Sequence, residues 1–516
     1  MSKKGDQTPR RRISWLRVLV VLVCAGGIGW GGWRAFSDVL IGPPEPGAST
    51  FAAYVDVTVT PTYSFGTPSS PAQSHVILAF LVANPSGGCE PMWGGAYSLD
   101  AAGDELELDR RIEQLRSTGG TARVSFGGAR GTELASSCAD TDALAASYQR
   151  VVDRYDLTSI DLDVEGASLA DRDASLRRAA AIKAVQDNAR QHDSHLDVWL
   201  TLPVSPSGLT AEGKALLDDM LNAGVAVTGV NGMTMDFNTD VTPGKPYSDT
   251  VLRAATALHG QVQSAFADHG INLDEARAWE RVGITAMIGQ NDVVNEVFTI
   301  GDAERVNQFA RDHGVGLVSM WSLNRDSTCV SPLPNVVTVV QTSCSGIDQQ
   351  GHSFAEVLAK DLPYVTRGEA ATATPSASAQ PDEAVITDLT DDPATSPYPI
   401  WDPLGEYPGG TKVVWHRNVY EARYWTSGVS PDTPVANPYD AAWTLLGPVL
   451  PGDKPAPLPT LPANTYPQWD KDEVYTAGMR VQLDLVPYEA KWWTQGQRPG
   501  VPVQGGSPWI LVIPEG

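Results

Sequence analysis

The chain has 516 residues, too many for one compact unit, so several domains are expected. Its 37 Lys and Arg stand against 61 Asp and Glu, a formal charge of -24 that opposes polyanionic partners and excludes nucleic-acid binding on electrostatic grounds. A neutral polymer remains acceptable, and the 15 Trp, crowded toward the C-terminus, suit the flat faces of sugars.

The first segment, 1–12, is basic through Lys3, Lys4 and Arg10 to Arg12, and would be a cytoplasmic tail. Segment 13–35 holds an apolar stretch from Ile13 to Trp33, interrupted only by Arg17 and marginally long enough to span a bilayer, with no clean small-residue cleavage site among Gly27, Gly31, Gly32 and Ala35. An uncleaved signal anchor is expected ahead of a cleaved signal peptide. Either puts the rest of the chain outside the cell, held at the membrane through this segment or released. Cys24 lies in the apolar segment; Cys89, Cys138, Cys329 and Cys344 follow, and four exported cysteines make two disulfides the default among three connectivities. Joining Cys329 to Cys344 closes a short loop and leaves Cys89 with Cys138. Without a tight Cys-x-x-Cys or a His cluster, neither a metal nor another cofactor is expected.

Between 51 and 365, eight short apolar runs alternate with helical patterns: Phe51 to Val57, Val76 to Val82, Ala122 to Phe126, Ser159 to Val164, Leu196 to Leu202, Val230 to Met235, Val282 to Ile288 and Gly316 to Trp321. Amphipathic stretches such as Leu169 to Gln191 and Asp302 to His313 imply parallel pairing through crossovers. The expected fold class is α/β, a (β/α)8 TIM barrel, with a doubly wound sheet as the alternative. Segment 366–397 is rich in Ala, Thr, Ser, Pro and Asp and reads as a disordered linker. After it, Tyr398-Pro399-Ile400-Trp401-Asp402 returns as Tyr466-Pro467-Gln468-Trp469-Asp470, and the match continues through Tyr407 and Tyr475, Tyr420 and Tyr488, and Trp425 and Trp493. Two copies of one small β-rich module are expected, at 398–450 and 466–514.

The fourth run carries the chemistry. In a strand, Asp161, Asp163 and Glu165 share one face while Ile160, Leu162 and Val164 share the other. With the apolar face toward the helices, the carboxylates point into the barrel, and Glu165 ends the strand on the rim where barrel enzymes build their sites. Crowding like charges in a buried place keeps at least one protonated near neutral pH, the state needed to protonate a glycosidic oxygen. A solvated acidic strand end or a calcium site is the competing account.

These residues resemble glycoside hydrolase family 18, in particular its bacterial chitinases, whose fourth strand carries Asp-x-x-Asp-x-Asp-x-Glu. Further landmarks follow the same order: Ser125-Phe126-Gly127-Gly128, Met233-Thr234-Met235-Asp236-Phe237, Met287-Ile288-Gly289-Gln290-Asn291-Asp292, and Met320-Trp321-Ser322-Leu323-Asn324-Arg325-Asp326. The resemblance implies substrate-assisted hydrolysis with retention, the acetamido group of the sugar being the nucleophile. By it, Glu165 is the acid, Asp163 orients the acetamido N–H, and Asp161 shares a buried proton with Asp163. Ser125 joins that network, Trp321 forms the floor under the sugar, and Asp236, Met233 and Gln290 contact substrate. Two departures stand out. Thr158 replaces the first Asp and Ser159 the usual Gly, and no tyrosine flanks Asp236, where Met235 and Phe237 stand instead. Loss of one donor can lower turnover by roughly 10²-fold.

The motif Ala490-Lys491-Trp492-Trp493-Thr494-Gln495-Gly496 is similar to the chitin-binding modules of carbohydrate-binding families 5 and 12. That resemblance implies stacking residues Tyr475, Trp492 and Trp493 in the second copy, and Tyr407, Tyr424 and Trp425 in the first. The expected protein is a monomeric, endo-acting chitinase acting on chitin or chitooligosaccharides. A catalytically weak chitin-binding lectin, or a hydrolase of other N-acetylglucosamine-containing glycans, is the alternative.

Overall fold

The computed structural model describes residues 49–238, 244–363, 391–435, 440–455, 458–500 and 507–512. The expected basic tail and signal anchor, and most of the expected linker, lie outside the described residues. No helix among the described residues is long and apolar enough to cross a membrane.

All eight apolar runs are strands. The first is interrupted at Ala52, giving Thr50–Phe51 and Ala53–Asp56; the others are His75–Ala83, Thr121–Gly127, Ser159–Asp163, Asp197–Ser205, Val227–Met233, Val282–Met287 and Leu317–Trp321. Each is parallel to its neighbours in this order. The interruption gives the first strand two partners: Thr50–Phe51 pairs with Leu317–Val318 of the eighth, and Ala53–Asp56 pairs with Val76–Ala79 of the second.

Parallel neighbours need crossovers. Helices Leu108–Ser117, Thr141–Arg154, Arg172–Gln191, Ala211–Asn222, Tyr247–Asp268 and Ile300–His313 supply them, while between the first two strands there is only the turn of 3-10 helix Pro71–Gln73. Caps fix the helix ends. Asp140 and Asp171 accept from the amides of Ala143 and Ala174, and Thr299 with Asp302 makes a reciprocal capping box. Between strands and helices, Ile160, Leu162, Val198, Leu200, Val230 and Ile284 are fully buried in one continuous apolar core. Disulfides join Cys89 to Cys138 and Cys329 to Cys344.

The C-terminal repeats fold alike. Strands Glu406–Tyr407, Lys412–Trp415, Asn418–Ala422 and Thr426–Ser427 recur as Val474–Tyr475, Arg480–Leu483, Val486–Ala490 and Thr494–Gln495. Each copy has its own small core, with Tyr407, Val413, Tyr420 and Trp443 in the first and Tyr475, Val481, Tyr488 and Trp509 in the second. The first copy starts earlier than its aromatic motif suggests. Asp391 accepts from the amides of His416 and Arg417, and Ser396 is buried, so 391–397 belongs to the module and not to the linker.

Candidate functional site

Strand parity places the carboxylates as their alternation dictates. Asp161 and Asp163 are buried on the face opposite Ile160 and Leu162, with Ser125 and Gly127 of the third strand beside them in register. Asp161 is surrounded by donors: Tyr54 Oη at 2.9 Å and Ser125 Oγ at 2.7 Å donate to Oδ2, and Thr201 Oγ1 at 2.6 Å donates to Oδ1. Behind Thr201 the order continues across the strands, because Asn231 Nδ2 donates to Thr201 Oγ1 at 3.0 Å and Thr285 Oγ1 donates to Asn231 Oδ1 at 2.8 Å. The buried guanidinium of Arg123, on the same face as Ser125, adds positive charge. Burial pushes the Asp161 pKa up, and the Thr201 and Ser125 hydrogen bonds and Arg123 work against that rise.

Asp163 is treated differently. Its Oδ1 is buried with no hydrogen-bond partner. Burial first, then the charges of Glu165 and Asp161, hold its pKa well above the carboxylate range. Three donors stabilise charge on Asp161 and none does so at Oδ1 of Asp163, so burial and like charge raise the Asp163 pKa with no hydrogen bond at Oδ1 to oppose them.

Glu165 follows the strand as the residue before the short helix Gly166–Ala170, and is partly open to solvent. Burial, then the charge of Asp236, raise its pKa, which favours the protonated form. Asp236 sits beyond the sixth strand with φ 51° and accepts from the Val293 amide at 3.3 Å. Burial and the nearby Asp292 raise its pKa in turn. Phe237 is buried against Tyr247, and its amide donates to Glu296, so the position beside Asp236 holds a core ring and offers no phenol to a ligand.

Trp321, half-buried at the end of the eighth strand, stacks on Phe80 with centroids 5.3 Å apart and planes at 18°, and packs against Tyr54 at 5.9 Å. Two glycines admit this arrangement. A Cβ at Gly127 would sit 1.9 Å from the Asp163 carbonyl, and one at Gly128 would sit 2.7 Å from the Phe80 ring, both at positive φ. Met233 is partly buried at the end of the sixth strand, paired with Pro203 and Thr285. Gln290 is buried, and its Nε2 faces the carbonyls of Asn291, Val293, Val294 and Glu296 at 3.0 to 3.4 Å. That amide nitrogen shapes the 291–296 loop and has no capacity left for a ligand.

Sequence reading missed Phe80, Tyr54, Thr201, Asn231 and Arg123. The signal was available in part: Arg123 shares a strand face with Ser125, a polar parity inside an apolar run.

In the modules the structure separates rings that the repeat pattern had grouped. Tyr424, Trp425 and Trp493 are 50%, 59% and 62% exposed. Trp492 is partly buried beneath Lys491 Nζ, 5.0 Å from the ring centre. Tyr407 and Tyr475 were expected among the stacking residues, and here the structure corrects the reading. Both are buried, each in edge contact with its module's tryptophan, Trp443 or Trp509, and each hydroxyl is tied to the backbone of Asp402 or Asp470. So small a core needs those rings inside.

No family model matches this chain. The chain is 34% identical over 308 residues to the "Probable bifunctional chitinase/lysozyme" of Escherichia coli (strain K12), covering 57% of this chain and 33% of that protein. It is 32% identical over 325 residues to "Endochitinase 11" of Metarhizium anisopliae, covering 60% and 59%. The chain thus spans about a third and three-fifths of these relatives' lengths. Among solved structures, active domain 2 of the thermostable chitinase from Pyrococcus furiosus, as a catalytic-site mutant complexed with chito-oligosaccharides, is 26% identical with a TM-score of 0.50, covering 62% of this chain and 97% of that one. In sequence and in fold, the region holding the carboxylate strand is chitinase-like.

Proposed function

We propose that this protein is an endo-acting chitinase of glycoside hydrolase family 18, hydrolysing β-1,4 bonds between N-acetylglucosamine units with retention. The observation that carries the reading is the graded carboxylate set: Asp161 held by three donors, Asp163 with a buried and unpartnered oxygen, and Glu165 raised in pKa at the strand end. Glu165 gives its proton to the glycosidic oxygen as the C1–O bond breaks, and the acetamido carbonyl oxygen of the same sugar bonds to C1. The free oxygen of Asp163 accepts the acetamido N–H, and the Asp161–Asp163 pair carries the negative charge opposite the cationic ring. Glu165 then takes a proton from water attacking C1, which restores the acetamido group and the original anomeric configuration. Trp321, backed by Phe80, forms the apolar floor, and Asp236 holds the sugar.

The pairing of the first strand with both the second and the eighth supports a closed (β/α)8 barrel. The exposed Tyr424, Trp425 and Trp493 support chitin-binding modules that carry the enzyme to polymer. The two disulfides support export, with the N-terminal segment as anchor or signal peptide and the protein acting outside the cell.

A second reading, a chitin-binding lectin with weak catalysis, draws on the buried Phe237 beside Asp236. The test is release of product from colloidal chitin and a fluorogenic chitobiose substrate by the chain and by Glu165→Gln. Release that disappears in the variant supports the enzyme. Chitin binding without release by the unaltered chain selects the lectin.

A further inference from the structure

The first C-terminal module rests on the catalytic region, and the contact is built from charge. Glu107, buried at the start of helix Leu108–Ser117 with φ 52°, faces the module. Its carboxylate accepts from Lys412 Nζ at 2.8 Å and from the Tyr398 hydroxyl, both of the module, and from Arg110 Nε of its own helix at 2.9 Å. Arg110 in turn donates to the Pro448 carbonyl and, at 3.0 and 3.4 Å, to both carboxylate oxygens of Asp453. Gly447 lets the backbones meet: a Cβ there would lie 2.6 Å from the Arg110 carbonyl and 3.0 Å from Gln114 Cβ. Burial alone raises the Glu107 pKa, and the hydrogen bonds from Lys412 and Tyr398 more than reverse this, so the carboxylate is ionised at its post.

Such an arrangement is specific. Charges taken out of water are tolerated only when paired in good geometry, and every member here finds its partner across the boundary or beside it. None of these contacts of Glu107 and Arg110 reaches Asp161, Asp163 or Glu165.

We propose that helix Leu108–Ser117 is a docking platform that holds the first module as a fixed arm of the catalytic region, so that Tyr424 and Trp425 meet an insoluble polymer at a set position relative to Glu165. The functional part rests on the chitinase reading; the docking itself does not. A fixed arm removes the freedom a tethered module would have, and binding at the arm then presents the chain to the cleft at high effective concentration. Glu107, Arg110 and Lys412 are positioning residues for insoluble substrate alone.

The test uses the full chain and two variants made from opposite sides of the contact, Lys412→Glu, which sets a like charge against Glu107, and Arg110→Ala. Small-angle X-ray scattering of the unaltered chain is expected to fit the docked arrangement, and both variants to show a larger radius of gyration. Both should keep chitin binding and full hydrolysis of soluble chitooligosaccharides while losing about tenfold on insoluble chitin. Scattering from the unaltered chain that already matches an undocked ensemble, or undocked variants with an unchanged rate on insoluble chitin, overturns the proposal. A chain that cleaves neither substrate overturns the enzymatic reading and the coupling with it, and scattering then reports on the docking separately.

Discussion

The eight-stranded region and the C-terminal repeats handle their polar and aromatic side chains in opposite ways. The eight-stranded region has enough core to carry polar groups inside, and it grades them: Tyr54, Ser125 and Thr201 satisfy Asp161, while Asp163 is left with an unpartnered oxygen. The repeats have so little core that their tyrosines and one tryptophan each must fill it, and only the rings left over face solvent. Burial therefore marks the proposed site in one region and scaffolding in the other.

The sharpest break of this contrast is at Glu165. Replacement by Gln keeps size and removes the proton donor, and should lower kcat by about 10²- to 10⁴-fold with little change in KM on a soluble substrate. In the repeats, exposed rings should report on binding and buried ones on folding. Alanine at Trp425 or Trp493 should weaken adsorption to insoluble chitin by up to about tenfold each, leaving soluble turnover intact. Tyr407→Ala should cost the first module about 3 kcal/mol of stability, seen as a lower melting transition. Should the buried tyrosine affect adsorption without affecting melting, the contrast fails.

Two titrations sharpen the comparison further. The charge of Asp236 helps hold the Glu165 pKa up, so Asp236→Asn should move the alkaline limb of the kcat profile to lower pH. For Asp163 the folded-state pKa is raised, so the native state binds more protons than the unfolded chain above about pH 4, and stability declines as pH rises from there. Asp163→Asn removes that penalty. It should raise the melting temperature of the catalytic region at pH 7 and leave it nearly unchanged at pH 3, while abolishing most activity.

The strands and the orientation of the carboxylates were legible because a period of two needs no tertiary information: Ile160 and Leu162 in the core force Asp161 and Asp163 to the other side. The donors around Asp161 come from strands up to 107 residues away in sequence: Thr201 lies on the adjacent fifth strand and Tyr54 on the first, which pairs with the second, so only tertiary assembly brings both to one carboxylate. Phe80 was hidden for a different reason, since it continues an apolar run and its stacking partner, Trp321, lies on the eighth strand. Gln290 shows a different limit. A motif position identified its place, while the direction of its amide was decided by the loop it closes. Tyr407 and Tyr475 misled because repeated aromatics look alike in sequence, whether they stack on a ligand or on a neighbouring tryptophan.

The most direct test of the account is the configuration of the first product. Proton NMR during the first minutes of chitooligosaccharide hydrolysis should show the new reducing end formed as the β-anomer, with α appearing only by mutarotation, and no signal with Glu165→Gln. Initial formation of the α-anomer, or an undiminished rate in that variant, would contradict substrate-assisted retention with Glu165 as the acid.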